Sequence, residues 1–278
     1  MLKLLGDKPL GARDAPAVER VLTSDPVAMC MVAARFETHG INPRLLGGEL
    51  WTAHNPLSSL CFSGANLIPL TGAPEDLDYF SDRALAGPRA CSSIVGRADL
   101  VLPMWEQIEP VWGPAREVRP AQPLLALMTC SAVPTDPLVR LVTLDDLDAY
   151  MPAAIDMFIG EVGVDPTTGD GGRSYRRRLA SLISAQRVFA RFDGPDVVFK
   201  AEIGSLSRRV GQIQGVWVSP ERRGEGLGLG GTAAVAEAVS AHGRIPSLYV
   251  NSFNVTARAV YERIGFTEVG VFATVLVD

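Results

Sequence analysis

Apolar and polar positions in the second half of the chain change period repeatedly, and the changes mark a regular succession of elements. Residues 139–143 read as a short strand and 144–160 as a helix, with Thr143 placed to cap it and Asp145, Asp146 and Asp148 in its first turns. A polar, glycine-rich loop over 165–172 precedes a second helix at 174–184. Three β-type runs follow at 187–192, 196–206 and 210–218, spaced as an antiparallel meander. Residues 227–242 read as a helix stopped by Gly243, and 247–251 as a strand. Residues 254–264 read as a helix capped by Asn254 and stopped by Gly265, and runs at 266–270 and 272–277 finish the sheet.

The first half shows a similar order. Helical periodicity covers 15–40, and strands are expected at 48–54 and 58–70. A helix at 74–85, a strand at 92–95, a helix at 99–111 and a closing strand or pair at 116–129 follow. Between the halves, Pro134 and Pro137 discourage regular structure. These features give an N-terminal domain over 1–130, a linker over 131–138 and a C-terminal domain over 139–278.

Composition adds bounds. An apolar fraction of 47% in 278 residues supports filled cores for one large domain or two ordinary ones. No apolar run approaches the roughly 18 residues a membrane span needs, and the run before Gly6 is too short for a signal peptide. Cys30, Cys61, Cys91 and Cys130 lie far apart with no C-x-x-C, which fits reduced thiols in a cytoplasmic protein rather than a disulfide framework. His39, His54 and His242 lack partners at ligand or triad spacing, so no metal site is expected. The net charge of −5 is spread over both halves, which excludes a nucleic-acid footprint. Arg176, Arg177 and Arg178 read as the solvated face of a helix, with contact to a phosphate as the other reading.

The chemistry concentrates in one segment. The apolar run ending at Val216, Trp217 and Val218 stops at Pro220, and the glycine-rich stretch from Arg223 to Gly228 opens the next helix. Such a loop aims bare backbone N–H groups and the positive end of the helix dipole at one point, which suits a phosphate or diphosphate. A P-loop would need Lys followed by Ser or Thr after the last glycine, but Leu229 and Gly230 follow Gly228. Gly226, Gly228 and Gly231 satisfy G-x-G-x-x-G, yet the next strand ends in Asn251 rather than an acid, and too little chain remains for a doubly wound sheet.

The run Arg223-Gly224-Glu225-Gly226-Leu227-Gly228 matches R-x-x-G-x-G and resembles the pyrophosphate loop of the GNAT superfamily of acyl-CoA-dependent N-acyltransferases. The preceding strand is similar to that family's V-x-V-x-P. Asn254, Ala257, Tyr261, Gly265 and Phe266 look like its N-x-x-A-x-x-x-Y-x-x-x-G-F. The resemblance covers about residues 139–278. It implies an α+β fold, a mixed and mostly antiparallel sheet flanked by helices. The similar element order of the first half, without R-x-x-G-x-G, suggests tandem GNAT-like domains with a degenerate N-terminal copy.

The resemblance also implies roles. Acetyl-CoA would be the co-substrate, with pantetheine running beside Val216, Trp217 and Val218 and one of their N–H groups polarising the thioester. Gly215 is a candidate bulge where that strand splays from its neighbour. Arg223, Gly224, Gly226, Leu227 and Gly228 would cradle the diphosphate, with Arg222 reaching a ribose or phosphate. Glu225 stands where family members often carry a basic residue, so CoA affinity should be modest. Asn251, Asn254, Ala257 and Tyr261 would complete the cofactor side, and Tyr261 would donate to the departing thiolate. Val260 and Ile264 would make a separate core face.

The base is less plain. Gln212 and Gln214, on the same face as Val216 and Val218 by the strand's period of two, cannot take a proton. Glu202 is the nearest carboxylate candidate, with a salt-bridged structural role as its other reading; Glu161 and the C-terminal carboxylate of Asp278 are further candidates. The expected function is transfer of an acetyl group to a primary amine, on a small molecule, peptide or protein, by direct attack in a ternary complex. The alternative is an acyl-CoA-binding sensor or scaffold. No nucleic-acid or membrane partner is expected.

Overall fold

The computed structural model describes residues 10–277; the segment before Gly6 and the carboxylate of Asp278 lie outside them. Contacts divide the chain into two compact units that interleave in sequence. The first takes residues up to 125 together with 249–254 and those from 268 onward; the second takes 126–248 and 255–267. No helix among the described residues is long and apolar enough to cross a membrane.

The first unit opens with helices α1 (Ala15–Ser24), α2 (Cys30–His39) and the short α3 (Pro43–Leu46). Strands β1 (Gly48–Trp51), β2 (Leu60–Gly64) and β3 (Leu67–Thr71) form an antiparallel meander. Helix α4 (Pro74–Leu85) leads to β4 (Ser93–Arg97), parallel to β3, and α5 (Ala98–Trp112) leads to β5 (Glu117–Ala126). The single strand expected over 58–70 is instead the β2–β3 hairpin, closed by the Gly64 N–H donating to the Asn66 carbonyl at 3.1 Å. Its turn escapes a period-based reading because both strands are buried on both faces. Leu60, Phe62, Ile68 and Leu70 pack towards α1 and α2, while Cys61 and Leu67 pack towards α4 and α5.

In the second unit, β6 (Arg140–Leu141) leads through a 3₁₀ turn at Leu144–Asp146 into α6 (Leu147–Val162) and α7 (Arg173–Ser184). Strands β7 (Val188–Asp193), β8 (Asp196–Leu206) and β9 (Val210–Val218) form a second antiparallel meander. Helix α8 (Leu227–Ser240), strand β10 (Ile245–Tyr249), helix α9 (Val255–Ile264) and strand β11 (Thr267–Leu276) follow. After β6 the order repeats that of the first unit apart from the short α3: helix pair, meander, helix, parallel strand, helix.

The two short runs expected near the C-terminus are one strand, β11. Most of it belongs to the first unit, where it pairs antiparallel with β4 from Phe272↔Arg97 to Leu276↔Ser93. Within that unit, β5 also takes N–H groups from the stretch after β10: Val250 and Ser252 donate to the carbonyls of Pro123 and Ala121. The segment 131–138 carries no regular structure, as its prolines predict, but it is tied down. The Asp136 N–H donates to the Gly230 carbonyl at 3.0 Å, and Arg191 reaches the Asp136 carboxylate at 2.7 Å.

The strand expected over 139–143 is short because Thr143 turns outward as a cap. Asp146 accepts from the Thr143 N–H and hydroxyl, each at 2.8 Å, and from both terminal nitrogens of Arg140 at 2.7 and 2.9 Å. The Arg140 hydrogen bonds above all, with Thr143 assisting against partial desolvation, hold the Asp146 carboxyl well below the usual carboxylate range. A carboxyl whose folded pKa is depressed stabilises above its unfolded value, about 3.9, and loses that contribution as pH falls. Asp146→Asn should therefore cost about 1 kcal/mol at pH 7 in urea unfolding, and its deficit against wild type should narrow steadily below about pH 4. A deficit independent of pH would contradict this account.

Candidate active site

The site of the second unit starts from one irregularity in β9. On β8, Lys200 lies opposite Trp217 and Glu202 opposite Gln214, so one residue lies between the pairs on β8 and two on β9. The extra residue makes a bulge at Gly215, which has φ of +58°, a conformation open to glycine. A Cβ there would also come within 3.0 Å of the Met157 side chain and 3.1 Å of the Lys200 ammonium.

The bulge reverses the strand's facing pattern. Gln214 and Trp217 share the face of Glu202 and Lys200, turned towards α6. Val216 and Val218 take the opposite face, with Val218 against α8 near Gly228. The expectation that Gln212 and Gln214 share a face with Val216 and Val218 is thus corrected. A period of two holds only within an unbroken strand, and the bulge shifts its phase by one.

Beside the bulge the sheet opens. β9 and β10 pair in parallel only over Val210–Gln212, against Ile245–Ser247. The Ser219 N–H donates to the Val198 carbonyl of β8 at 3.1 Å. By alternation, Trp217 also faces its backbone groups to β8, while Val216 and Val218 turn theirs away, into the opening.

The chain then makes a 3₁₀ turn at Pro220–Arg222 and enters α8 through Gly224 and Gly226, at φ of +86° and +82°. No acidic residue stands in the first turn of α8, and no side chain caps it. Among the described residues, no acceptor meets the backbone N–H groups of Gly224, Glu225, Gly226, Leu227 or Gly228. Five unanswered donors and the positive end of a helix dipole lie together there, an arrangement with the chemistry to hold an anion such as a phosphate. The first unit does the reverse at the matching helix start. Pro74 removes a donor from α4, Glu75 and Asp76 stand in its first turn, and Asp76 accepts the Ala73 N–H at 2.9 Å.

Comparisons with known proteins bear on the fold. Residues 200–276 match the family described as FR47-like protein, and residues 48–150 match a domain of unknown function, DUF4081. A GNAT-family acetyltransferase from Colwellia psychrerythraea is similar over 98% of this chain and 99% of its own, at 11% identity and a TM-score of 0.57. A Drosophila protein is similar over 97% and 98%, at 14% identity and a TM-score of 0.70. A GCN5-related N-acetyltransferase from Sphaerobacter thermophilus is similar over 96% and 94%, at 16% identity and a TM-score of 0.53. No protein of curated function matches. The chain has the GNAT fold.

Within that fold the remaining expected residues fall as follows. Arg222 is occupied: its Nε donates to both Glu225 oxygens at 2.9 Å, and its guanidinium meets Asp193 at 2.5 Å. Arg223 is exposed at the loop. Ala257 is half-buried on α9. Tyr261 is buried with Ile264 and packs edge-on against Phe266 at 6.0 Å, and the Gly265 and Phe266 N–H groups close the helix on the Tyr261 carbonyl. Burial first, and the negative charge of Glu161 second, push the Tyr261 phenol upward, so it stays protonated. Asn251 and Asn254 belong to the segment grouped with the first unit, where the Asn251 side-chain oxygen accepts from Gln122 at 2.8 Å.

Glu202 shows the ion pairs of its structural reading. It is buried, its Oε1 accepts from Tyr150 at 3.0 Å and meets Lys200 at 3.2 Å, and its Oε2 meets Gln214 at 3.4 Å and Arg178 at 3.8 Å. Burial alone would raise its carboxyl; Lys200 and Arg178 outweigh burial and leave it below the ordinary range. A carboxylate surrounded by donors is a poor base. The arginine cluster read as solvated is therefore partly inward-facing, since Arg178 reaches Glu202 while Arg176 pairs with Asp148. Lys200, which carries no motif signal in the sequence, donates to the Gly215 carbonyl at 3.0 Å.

Glu225 both neutralises Arg222 and places a negative charge at the anion cradle. Glu225→Lys should tighten CoA binding several-fold and steepen its salt dependence, as screened surface charges do. Calorimetric titration at two ionic strengths checks this; unchanged affinity would separate residue 225 from the diphosphate.

Proposed function

We propose that the protein is an N-acetyltransferase that moves the acetyl group of acetyl-CoA to a primary amine by direct attack in a ternary complex. The observation that carries this is the uncapped N-terminus of α8 beside the splayed, bulged strand β9. The diphosphate would rest on the N–H groups of residues 224–228. The pantetheine would lie along the open side of β9, and the Val216 N–H would face the thioester carbonyl. As the amine nitrogen bonds to the carbonyl carbon, the C–S bond breaks. The neutral Tyr261 phenol would stabilise the departing thiolate by a hydrogen bond; the thiolate takes its proton from solvent, which also receives the proton the nitrogen loses. Donors preset for charge that develops only in the transition state are what lowers the barrier.

The engagement of Glu202 bears on the acceptor. Neutralising a lysine of pKa ~10.4 at pH 7 costs about 4–5 kcal/mol, whereas an α-amine near ~7.7 costs about 1 kcal/mol. With no free buried carboxylate among the described residues to assist, the reading favours an amine of low pKa, on a small molecule or a peptide. The first unit is read as a worn copy of the fold, without an anion cradle. A cytoplasmic setting fits three buried free thiols, Cys30, Cys61 and Cys91.

The test is calorimetric titration of acetyl-CoA into the wild type and Gly226→Trp. Micromolar binding that the variant loses is expected, and absence of binding to the wild type would overturn the proposal. Binding with no thiol release across an amine screen would instead favour a sensor or scaffold. Once an acceptor is found, Tyr261→Phe should lower kcat by roughly ten- to a few hundred-fold while the protein stays folded. Unchanged turnover would remove Tyr261 from the mechanism.

A further inference from the structure

Lys200 is wholly buried on β8, and its ammonium makes two polar contacts: with Glu202 at 3.2 Å and with the Gly215 carbonyl at 3.0 Å. The Tyr150 ring lies 5.5 Å from the same nitrogen. A buried ion pair is weak evidence for stability, because apolar residues of equal volume often serve as well. The position of the ammonium, not its burial, is the informative feature.

In a regular antiparallel strand the carbonyl before Val216 would accept an N–H from β8. The bulge takes the Gly215 carbonyl out of that ladder, and the Lys200 ammonium stands in as its donor. The peptide joining Gly215 to Val216 is planar and trans, as no cis peptide occurs among the described residues. In a trans peptide the carbonyl and the N–H point in opposite directions. Holding the Gly215 oxygen on the β8 side therefore aims the Val216 N–H to the other side, where β9 has parted from β10. A hydrogen bond from a full positive charge also polarises the peptide, which strengthens its N–H as a donor.

We propose that Lys200 is a positioning residue for the thioester: its grip on the Gly215 carbonyl orients and strengthens the Val216 N–H that polarises the acyl group. This rests on the acyltransferase reading above. Glu202, with Tyr150, Gln214 and Arg178 around it, keeps the ammonium in place. The Glu202 carboxylate thereby has an indirect part, exerted through Lys200.

The test needs no acceptor amine. Acetyl-CoA carrying ¹³C at the thioester carbonyl is bound to the full-length protein, and the carbonyl stretch is read by infrared difference spectroscopy. Lys200→Met alone would strand a buried carboxylate and disrupt folding, so the decisive variant is Lys200→Met with Glu202→Gln, which leaves no buried charge unpaired; Arg178, which loses its partner, is half-exposed and is solvated by water. Thermal unfolding of that variant is followed alongside. The wild type should move the stretch to lower wavenumber on binding. The double variant should keep its CoA affinity within about threefold, since the cradle at α8 is untouched, and lose most of that shift. A full shift in the double variant overturns the proposal. So does a variant that folds but no longer binds CoA, because Lys200 would then support the whole groove. If the wild type itself binds no acetyl-CoA, the acyltransferase reading falls first, and this inference falls with it.

Discussion

The extra residue in β9 sets the terms for the site. Two sheet neighbours constrain that strand, and the bulge at Gly215 alters its relation to both. Towards β8 it drops one carbonyl from the ladder, and a buried lysine takes over the vacant donor position. Towards β10 it coincides with the end of pairing at Gln212, which leaves the backbone groups of Val216 and Val218 facing an opening. Neither consequence would be tolerated in a plain buried strand, where an unpaired N–H costs about as much as a lost hydrogen bond. Those N–H groups are stable in the open because water or a ligand can reach them; Val216, Trp217 and Val218 are half-buried rather than sealed.

The same economy governs the helix starts. Every α-helix begins with orphan donors, and the two units settle them in opposite ways. In α4 a proline deletes one donor, and the Asp76 carboxylate, with Glu75 beside it, answers the positive end of the dipole. In α8 glycines at φ of +82° and +86° replace any capping side chain, and the donors stay unanswered. Similar element order therefore does not mean similar chemistry. The residues that would fill a phosphate cradle from within are present in one unit and missing from the other.

Much of this was legible in the sequence, for identifiable reasons. Element order followed from periodicity and stop signals, as Gly243 and Gly265 show. The loop from Arg223 to Gly228 was readable because the conformations it needs are open to few residues but glycine. Gly215 was readable as a bulge for the same reason. What failed were statements that depended on phase or on distant partners. The side-chain faces of Gln212 and Gln214 are the reverse of those expected, because a period of two does not carry across the bulge that Gly215 marks. The β2–β3 turn was hidden because both of its strands are buried on both faces. The pairing of β11 with β4, more than half the chain apart, has no local signature. Lys200 reads as an ordinary strand residue until the register puts it across from Trp217.

The engagement of Glu202 and the presence of a buried lysine have a common explanation. An acyltransferase can lower its barrier by making the amine a better nucleophile or the thioester a better electrophile. A buried carboxylate serves the first end only if its lone pairs are available and its pKa is near working pH. Lys200 and Arg178 deny Glu202 both conditions. The same contacts fix an ammonium against the peptide whose N–H faces the opening, which serves the second end. Buried charge that would be a poor base is a good source of fixed field, because a low-dielectric surrounding strengthens its action and nothing has to reorganise when the oxyanion forms. On this reading the site works on the electrophile and leaves proton loss to the acceptor. That division is efficient only for an amine already largely neutral at working pH.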